Sequence, residues 1–188
     1  MTSRAEPSAL LLRHQALLAT ADRALPVLDL ACGDGRNGLA LAAQGHHVAF
    51  ADLSEHALKS VRKSLSAAGL EGETWQVDLE QEGIDPFAGR QFAAVICFRY
   101  LHRPLFPALR RTIADGGLVI YETFTTEQPR YGHPHNPEFL LRPGELAACF
   151  PNWEIIHYFE GVQPNPERSV AQLVARKPPG WPGRPRRG

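Results

Sequence analysis

Short strand-like segments near residues 26–31, 47–51, 73–77, 92–98 and 117–123 alternate with stretches whose apolar positions recur every three or four residues. The short runs have strand period or are buried throughout, and the longer ones have helix period. Leu58, Val61 and Leu65 share one face of a helix that follows Asp52 and stops at Gly69, a residue suited to a left-handed C-cap. Phe92 to Phe98 is apolar at every position, as a central strand covered on both faces should be. Pro104 to Ile113 is expected as the next helix, Asp115-Gly116-Gly117 as its turn, and Leu118 to Tyr121 as the heart of the strand after it. Such alternation predicts an α/β fold with a doubly wound, mostly parallel sheet. The end of the chain departs from it. Trp153–Glu160 and Ser169–Arg176 read as two strands joined by a polar loop holding Pro164 and Pro166, too short for anything but an antiparallel hairpin, which brings the sheet to seven strands. Ahead of the first strand, Ala9–Leu12 and Ala16–Ala19 are separated by Arg13-His14-Gln15. That break suits an amphipathic helix and not a signal-peptide core. The expected organisation is a helical segment over 1–24, a domain over 25–176, and a flexible basic tail rich in proline and glycine over 177–188.

Chemistry enters at the end of the first strand, where Val27-Leu28-Asp29-Leu30-Ala31-Cys32 runs into Gly33-Asp34-Gly35-Arg36-Asn37-Gly38 and a helix opens near Arg36. Glycines there let the backbone turn sharply and approach a ligand, the arrangement of a nucleotide cradle. Gly33-x-Gly35-x-x-Gly38, with Asp52 about 20 residues on, also fits the dinucleotide fingerprint. The second strand ends in Asp52-Leu53, and the third in Asp78-Leu79. A carboxylate at a strand tip accepts hydrogen bonds and donates none, which suits the two hydroxyls of a ribose at Asp52.

An acid-bearing stretch before the first glycine, Asp29-Leu30-Ala31-Cys32, resembles motif I of the class I S-adenosylmethionine-dependent methyltransferases. Asp-Leu-Ala-Cys-Gly-Asp-Gly-Arg-Asn is particularly similar to the tellurite-resistance-type and related small bacterial members. The resemblance spans about residues 25–176 and implies a Rossmann-like fold with S-adenosyl-L-methionine as cofactor. It places Asp29 near the cofactor's amino-acid end and Asp78 with Leu79 at the adenine. Cys32, Gly33, Gly35, Arg36, Asn37, Asp52, Leu53, Phe98 and Arg99 complete the expected cofactor set. The terminal hairpin is a seventh-strand feature of these enzymes and argues against a dinucleotide dehydrogenase.

Open α/β sheets bind ligands at the C-terminal ends of their strands, so the remaining site residues should follow strands four and five. Strand four leads into Phe98-Arg99-Tyr100-Leu101-His102, where base amino-methyltransferases carry Asn/Asp-Pro-Pro-Tyr/Phe; that chemistry is therefore disfavoured. His102 is the candidate base, or else a cap on the turn; Tyr100 is a candidate for orienting substrate, or else packing. Glu122 either binds a cationic group or proton, or pairs with an arginine. A long stretch after strand five, Thr125 to Leu146, is expected to act as a substrate lid. His133, His135 and Glu138 within it lack the spacing of a metal site, and no metal is expected.

Composition narrows the partners. Twenty Lys and Arg balance twenty Asp and Glu over 188 residues, so nothing demands a polyanion, and Cys32, Cys97 and Cys149 form no disulfide framework. The expectation is a cytoplasmic enzyme, monomer or homodimer, without membrane or nucleic-acid partners. Its acceptor is expected to be a small molecule, with a thiol, selenium or tellurium nucleophile the favoured type. Alternatives are an RNA or protein methyltransferase using Arg184, Arg186 and Arg187 on phosphates, and a cofactor-binding protein without activity.

Overall fold

The computed structural model describes residues 6–181. Seven strands form one sheet in the order β3-β2-β1-β4-β5-β7-β6. They are β1 (Val27–Leu30), β2 (Val48–Asp52), β3 (Glu73–Gln76), β4 (Phe92–Phe98), β5 (Ile113–Phe124), β6 (Glu154–Gln163) and β7 (Arg168–Arg176). The first five run parallel to their neighbours, and β7 lies antiparallel between β5 and β6. This is the expected Rossmann-like sheet with its C-terminal hairpin. Reversal of strand order between β1 and β4 opens a crevice at their C-terminal tips.

Alternate residues of the central strands feed two apolar layers. Val27, Phe50, Ile96, Ile120 and Val174 pack under α1 (Ala9–His14), α2 (Arg36–Ala42) and α3 (Glu55–Ala68). Leu28, Val95, Val119 and Leu173 pack against α4 (Phe106–Thr112) and the Phe150–Trp153 corner. α3 starts at Ser54, whose hydroxyl accepts from the Ala57 N–H, and ends at Gly69 in the left-handed conformation, as the sequence predicts. The N-terminal segment is helical over α1 and continues as a 3₁₀ helix, Gln15–Thr20.

Two expectations need correction. Asp115-Gly116-Gly117 is no free turn: β5 begins at Ile113 and carries these residues as an irregularity, pairing Ile113 with Phe92 and then Leu118 with Ala94. Only glycine fits at 117, where a Cβ would stand 2.6 Å from the Ala93 carbonyl oxygen. The expected flexible tail is also packed where it begins. Lys177 is 1% exposed, and its ammonium donates to the carbonyls of Arg110 and Ile113 at 2.8 and 2.6 Å. Those carbonyls stand at the end of α4, where helices leave acceptors unpaired and favour a cation. The Lys177 backbone bonds to Gly116 and Gly117, and Gly180 N–H donates to Asp115. Trp181 lies against Arg110 and Lys177. The rest of the tail, with Arg184, Arg186 and Arg187, lies outside the described residues. No helix among those described is long and apolar enough to cross a membrane.

Candidate active site

The glycine turn at the tip of β1 is built by a run of left-handed backbone: Ala31, Gly33 and Gly35 have φ of +51°, +53° and +72°. A Cβ on Gly33 would meet no atom within 4 Å, so this turn faces open space, whereas one on Gly38 would strike Phe50 and the Asp29 carboxylate. Gly33 thus frees the ligand side and Gly38 lets α2 press onto β1 and β2. Asp29 is 2% exposed and its Oδ2 accepts from Gly38 N–H at 2.8 Å. Burial pushes its pKa up to about 7; the Gly38 hydrogen bond opposes the shift, and the Asp52 charge adds to it. Burial, followed by the charges of Asp29 and Asp52, raises the Cys32 thiol far above its ordinary range and leaves it a poor nucleophile.

Asp52 braces the turn. Its Oδ2 accepts from Gly33 N–H and its Oδ1 from Ser54 N–H, both at 2.8 Å. Its remaining lone pairs face a cavity of about 470 Å³ that it shares with Leu53, Asp78, Leu79 and Tyr100. Leu53 is 62% exposed, an apolar side chain left uncovered on that wall. Asp78 is exposed and accepts from Glu80 N–H at 2.9 Å. On the other side of β1, Asp29, Cys32, Gly33, Arg36, Phe98 and Arg99 line a cavity of about 920 Å³. The expected cofactor residues therefore divide between two cavities that meet at Ala31. Asp52, Asp78 and Glu80 make the smaller cavity acidic, the larger balances Asp29 and Asp34 against Arg36 and Arg99, and Gly33 leaves room for a ligand between them.

Two motif residues carry duties the sequence did not disclose. The Asn37 side-chain carbonyl accepts from Ser8 N–H at 2.8 Å, and Arg36 donates to the Glu6 carbonyl at 3.1 Å. The segment ahead of α1 is tied to the glycine motif by these bonds.

A third cavity, of about 490 Å³, opens beyond β4 and β5. Arg99, Tyr100, Phe124, His133, Pro134 and Phe139 line it, with Glu80 at its edge. Of the three proposed catalytic residues, only Tyr100 is here. Its hydroxyl is buried with no partner in full hydrogen-bonding geometry, the Glu80 carboxylate stands nearby, and burial followed by the Glu80 charge holds it well above the ordinary tyrosine range. The Tyr121 hydroxyl bonds to its backbone carbonyl at 2.8 Å. His102 turns away into a separate cavity with Glu80, Asp85 and Arg111. Glu122 is 4% exposed and spent: Gln172 donates to it at 2.5 Å and Arg168 stands 4.0 Å away. Strand alternation explains both placements. Glu122 follows Tyr121 and points to the face under α1 and α2, and His102 lies beyond the reversal at Arg99.

In place of His102, the structure brings His133 to the cavity, carried by the stretch after β5. Gln128, 4% exposed, donates to the His133 carbonyl at 3.1 Å and accepts from Ser169 N–H at 2.8 Å. At the other end, Arg103 holds Glu145 and the carbonyls of Glu138 and Leu140. The stretch is thus pinned at both ends, and the Gln128 bond to the His133 carbonyl also holds its middle. Its one sequence signal was position, since an insertion after strand five must overlie the strand tips. His133 and His135 stand ring against ring with centroids 4.5 Å apart, and no group of three or more candidate metal ligands gathers among the described residues.

Residues 27–117 match the family described as a methyltransferase domain. Over 142 residues the chain is 26% identical to a probable S-adenosyl-L-methionine-dependent methyltransferase, TehB, from Haemophilus influenzae, a match covering 72% of this chain and 48% of that protein. The crystal structure of TehB from the same organism superposes with a TM-score of 0.70 at 20% identity, over 87% of this chain and 62% of that one. Just under half of the chain thus matches a methyltransferase domain, and the fold as a whole is similar to that of TehB. It is also 28% identical over 176 residues to a ubiquinone biosynthesis O-methyltransferase of Xylella fastidiosa, covering 80% of this chain and 69% of that protein. The chain spans about half the length of TehB. The matched residues include the glycine turn and the acids at the tips of β1 and β2.

Proposed function

We propose that this chain transfers the methyl group of S-adenosylmethionine to a small-molecule acceptor bound in the cavity lined by Arg99, Tyr100, Phe124, His133 and Phe139. One observation carries the reading: the acceptor cavity shares Arg99 with the cavity of the glycine turn, and Tyr100 and Glu80 with the cavity of Asp52 and Asp78. A small acceptor is thereby held against both halves of a cofactor site. Asp52 would hold the ribose, Leu79 and Asp78 the adenine, and Gly33 with Asp29 the amino-acid end.

The bound cofactor supplies a sulfonium that already carries both the leaving group and the driving charge. The chain's part is to align the acceptor, exclude water and receive a proton. Held by Asp52, Asp78, Leu79, Gly33 and Asp29, the cofactor would supply the methyl carbon to the acceptor atom and a sulfur able to take the electron pair of the broken carbon–sulfur bond. The acceptor's proton passes to His133. Tyr100, held protonated, orients and does not act as base. With Glu80 the only carboxylate on the cavity, this modest acid–base equipment favours an easily ionised or soft acceptor: a thiol, or a selenium or tellurium centre.

Transfer of labelled methyl from S-adenosylmethionine to a panel of thiols and selenols tests the reading. We expect turnover by the parent chain. His133→Ala should lower it by about a hundredfold while binding of S-adenosylhomocysteine is retained. A parent chain that binds S-adenosylhomocysteine and methylates nothing in the panel would leave a cofactor-binding protein without this activity.

A further inference from the structure

Arg99 stands where β4 ends, in a backbone conformation that side chains other than glycine, asparagine and aspartate rarely adopt, with φ of +61°. Its N–H donates to the Glu122 carbonyl at 2.8 Å, which fixes the reversal, and the side chain is directed along the cavity walls. Costly backbone of this kind persists where the surroundings enforce it and clusters at ligand sites. The neighbouring cations are all engaged: Arg36 by Glu6, Arg103 by Glu145, and Arg168 by Gln163 and Glu122. The Arg99 guanidinium makes no hydrogen bond or ion pair with any described residue. Arg99 is exposed at the cavity wall; partial burial, then the charges of Arg36 and Arg168, bear against its positive charge, and the already shared Glu122 favours it. An anion at Arg99 would relieve that imbalance.

Two features set the kind of anion. Arg36 reaches the glycine-turn cavity alone, so it is the residue placed for the cofactor's own carboxylate, whereas Arg99 also lines the acceptor cavity. Glu80 lines that cavity too, and its walls are made chiefly of Tyr100, Phe124, Pro134 and Phe139. One guanidinium against one carboxylate leaves room for a monoanion and penalises a phosphate dianion. Aromatic walls favour a flat apolar body.

We propose that Arg99 is the specificity-determining residue for the acceptor, and that the acceptor is a small aromatic carboxylate. Its ring lies among Tyr100, Phe124 and Phe139, and its carboxylate is held by the Arg99 guanidinium. The inference rests on the methyl-transfer reading above.

The test uses the full chain saturated with S-adenosylhomocysteine and titrated with benzoate, benzamide and phenyl phosphate, alongside labelled methyl transfer to 2-mercaptobenzoate and benzenethiol. The parent should bind benzoate at least tenfold more tightly than benzamide or phenyl phosphate, and should methylate 2-mercaptobenzoate with the lower KM. Arg99→Gln should erase the preference mainly through KM. Arg99→Lys should restore part of it, lacking the planar fork. Arg99→Asn, which tolerates the left-handed backbone, should behave as the glutamine variant and guards against a folding defect. A parent with no preference for benzoate, tighter binding of phenyl phosphate, or a preference that survives in well-folded Arg99→Gln would overturn the proposal. So would a loss of S-adenosylhomocysteine affinity in Arg99→Gln with 5′-methylthioadenosine binding unchanged, which would assign Arg99 to the cofactor's carboxylate. Failure of the parent to bind S-adenosylhomocysteine at all is a separate outcome: it removes the methyl-transfer reading and the acceptor proposal with it.

Discussion

A carboxyl group that is 2% exposed and accepts one backbone hydrogen bond is poorly compensated for the water it has lost, and Asp29 is such a group. Its folded-state pKa of about 7 lies above the ordinary 3.8, so the folded chain binds this proton more tightly than the unfolded chain does. Asp29 therefore favours folding most below pH 3.8, and its contribution declines as pH rises from there to about 7. Asp29→Asn keeps an oxygen for Gly38 N–H and removes the charge. It should be more stable than the parent by roughly 2–4 kcal/mol at pH 8, with the gap narrowing toward pH 4. Chemical unfolding of both proteins at the two pH values measures this, and an equal gap at both would refute the assignment. Asp52 is different, because each of its oxygens already receives a backbone N–H. Asp52→Ala should weaken S-adenosylhomocysteine binding roughly tenfold to a few hundredfold, the worth of charge-assisted hydrogen bonds. Asp52→Asn should be scarcely milder, since its amide nitrogen must confront the N–H of Gly33 or Ser54. Calorimetry on the two variants decides between this and a binding role independent of the turn. In the sequence Asp52 reads as a carboxylate free for ribose hydroxyls; the two braces are visible only in the fold.

At the scale of elements, β4 was legible to the residue because an unbroken apolar run between polar ends admits no other placement. β1, β2 and β3 were legible to within a residue or two, the first two as mostly apolar segments ahead of the glycine turn and Asp52, and β3 from Trp75 and Val77 alternating with polar residues ahead of Asp78. β5 was not, since Asp115-Gly116-Gly117 has the composition of a turn and lies in a strand only because Lys177 supplies backbone partners from far along the chain. The packed residues 177–181 were hidden in a proline- and glycine-rich stretch. Lys177 reads there as one more solvated cation, yet it fastens the end of α4. Lys177→Ala should leave two carbonyls without donors and cost about 2–5 kcal/mol, far more than an ordinary surface lysine. Thermal unfolding checks it, and a change in the range of exposed-site substitutions would contradict the capping role. The pinning of the stretch after β5 by Gln128 and Arg103 was likewise unreadable, because its partners lie on β7 and α5 (Glu145–Ala148).

For the whole molecule, the division between legible and hidden follows contact range. The proposed cofactor side is written locally, as glycines and acids at the tips of consecutive strands. The acceptor side is assembled from the ends of β4 and β5 and the middle of the following stretch, so no local pattern distinguishes His133 from His102. Everything proposed about the acceptor stands on the cofactor site, and the sequence there also fits a dinucleotide fingerprint. Calorimetric titration of the full chain with S-adenosylhomocysteine and with NAD is therefore the most direct measurement. The account predicts binding of S-adenosylhomocysteine and none of NAD at the same concentrations; tighter binding of NAD would contradict it.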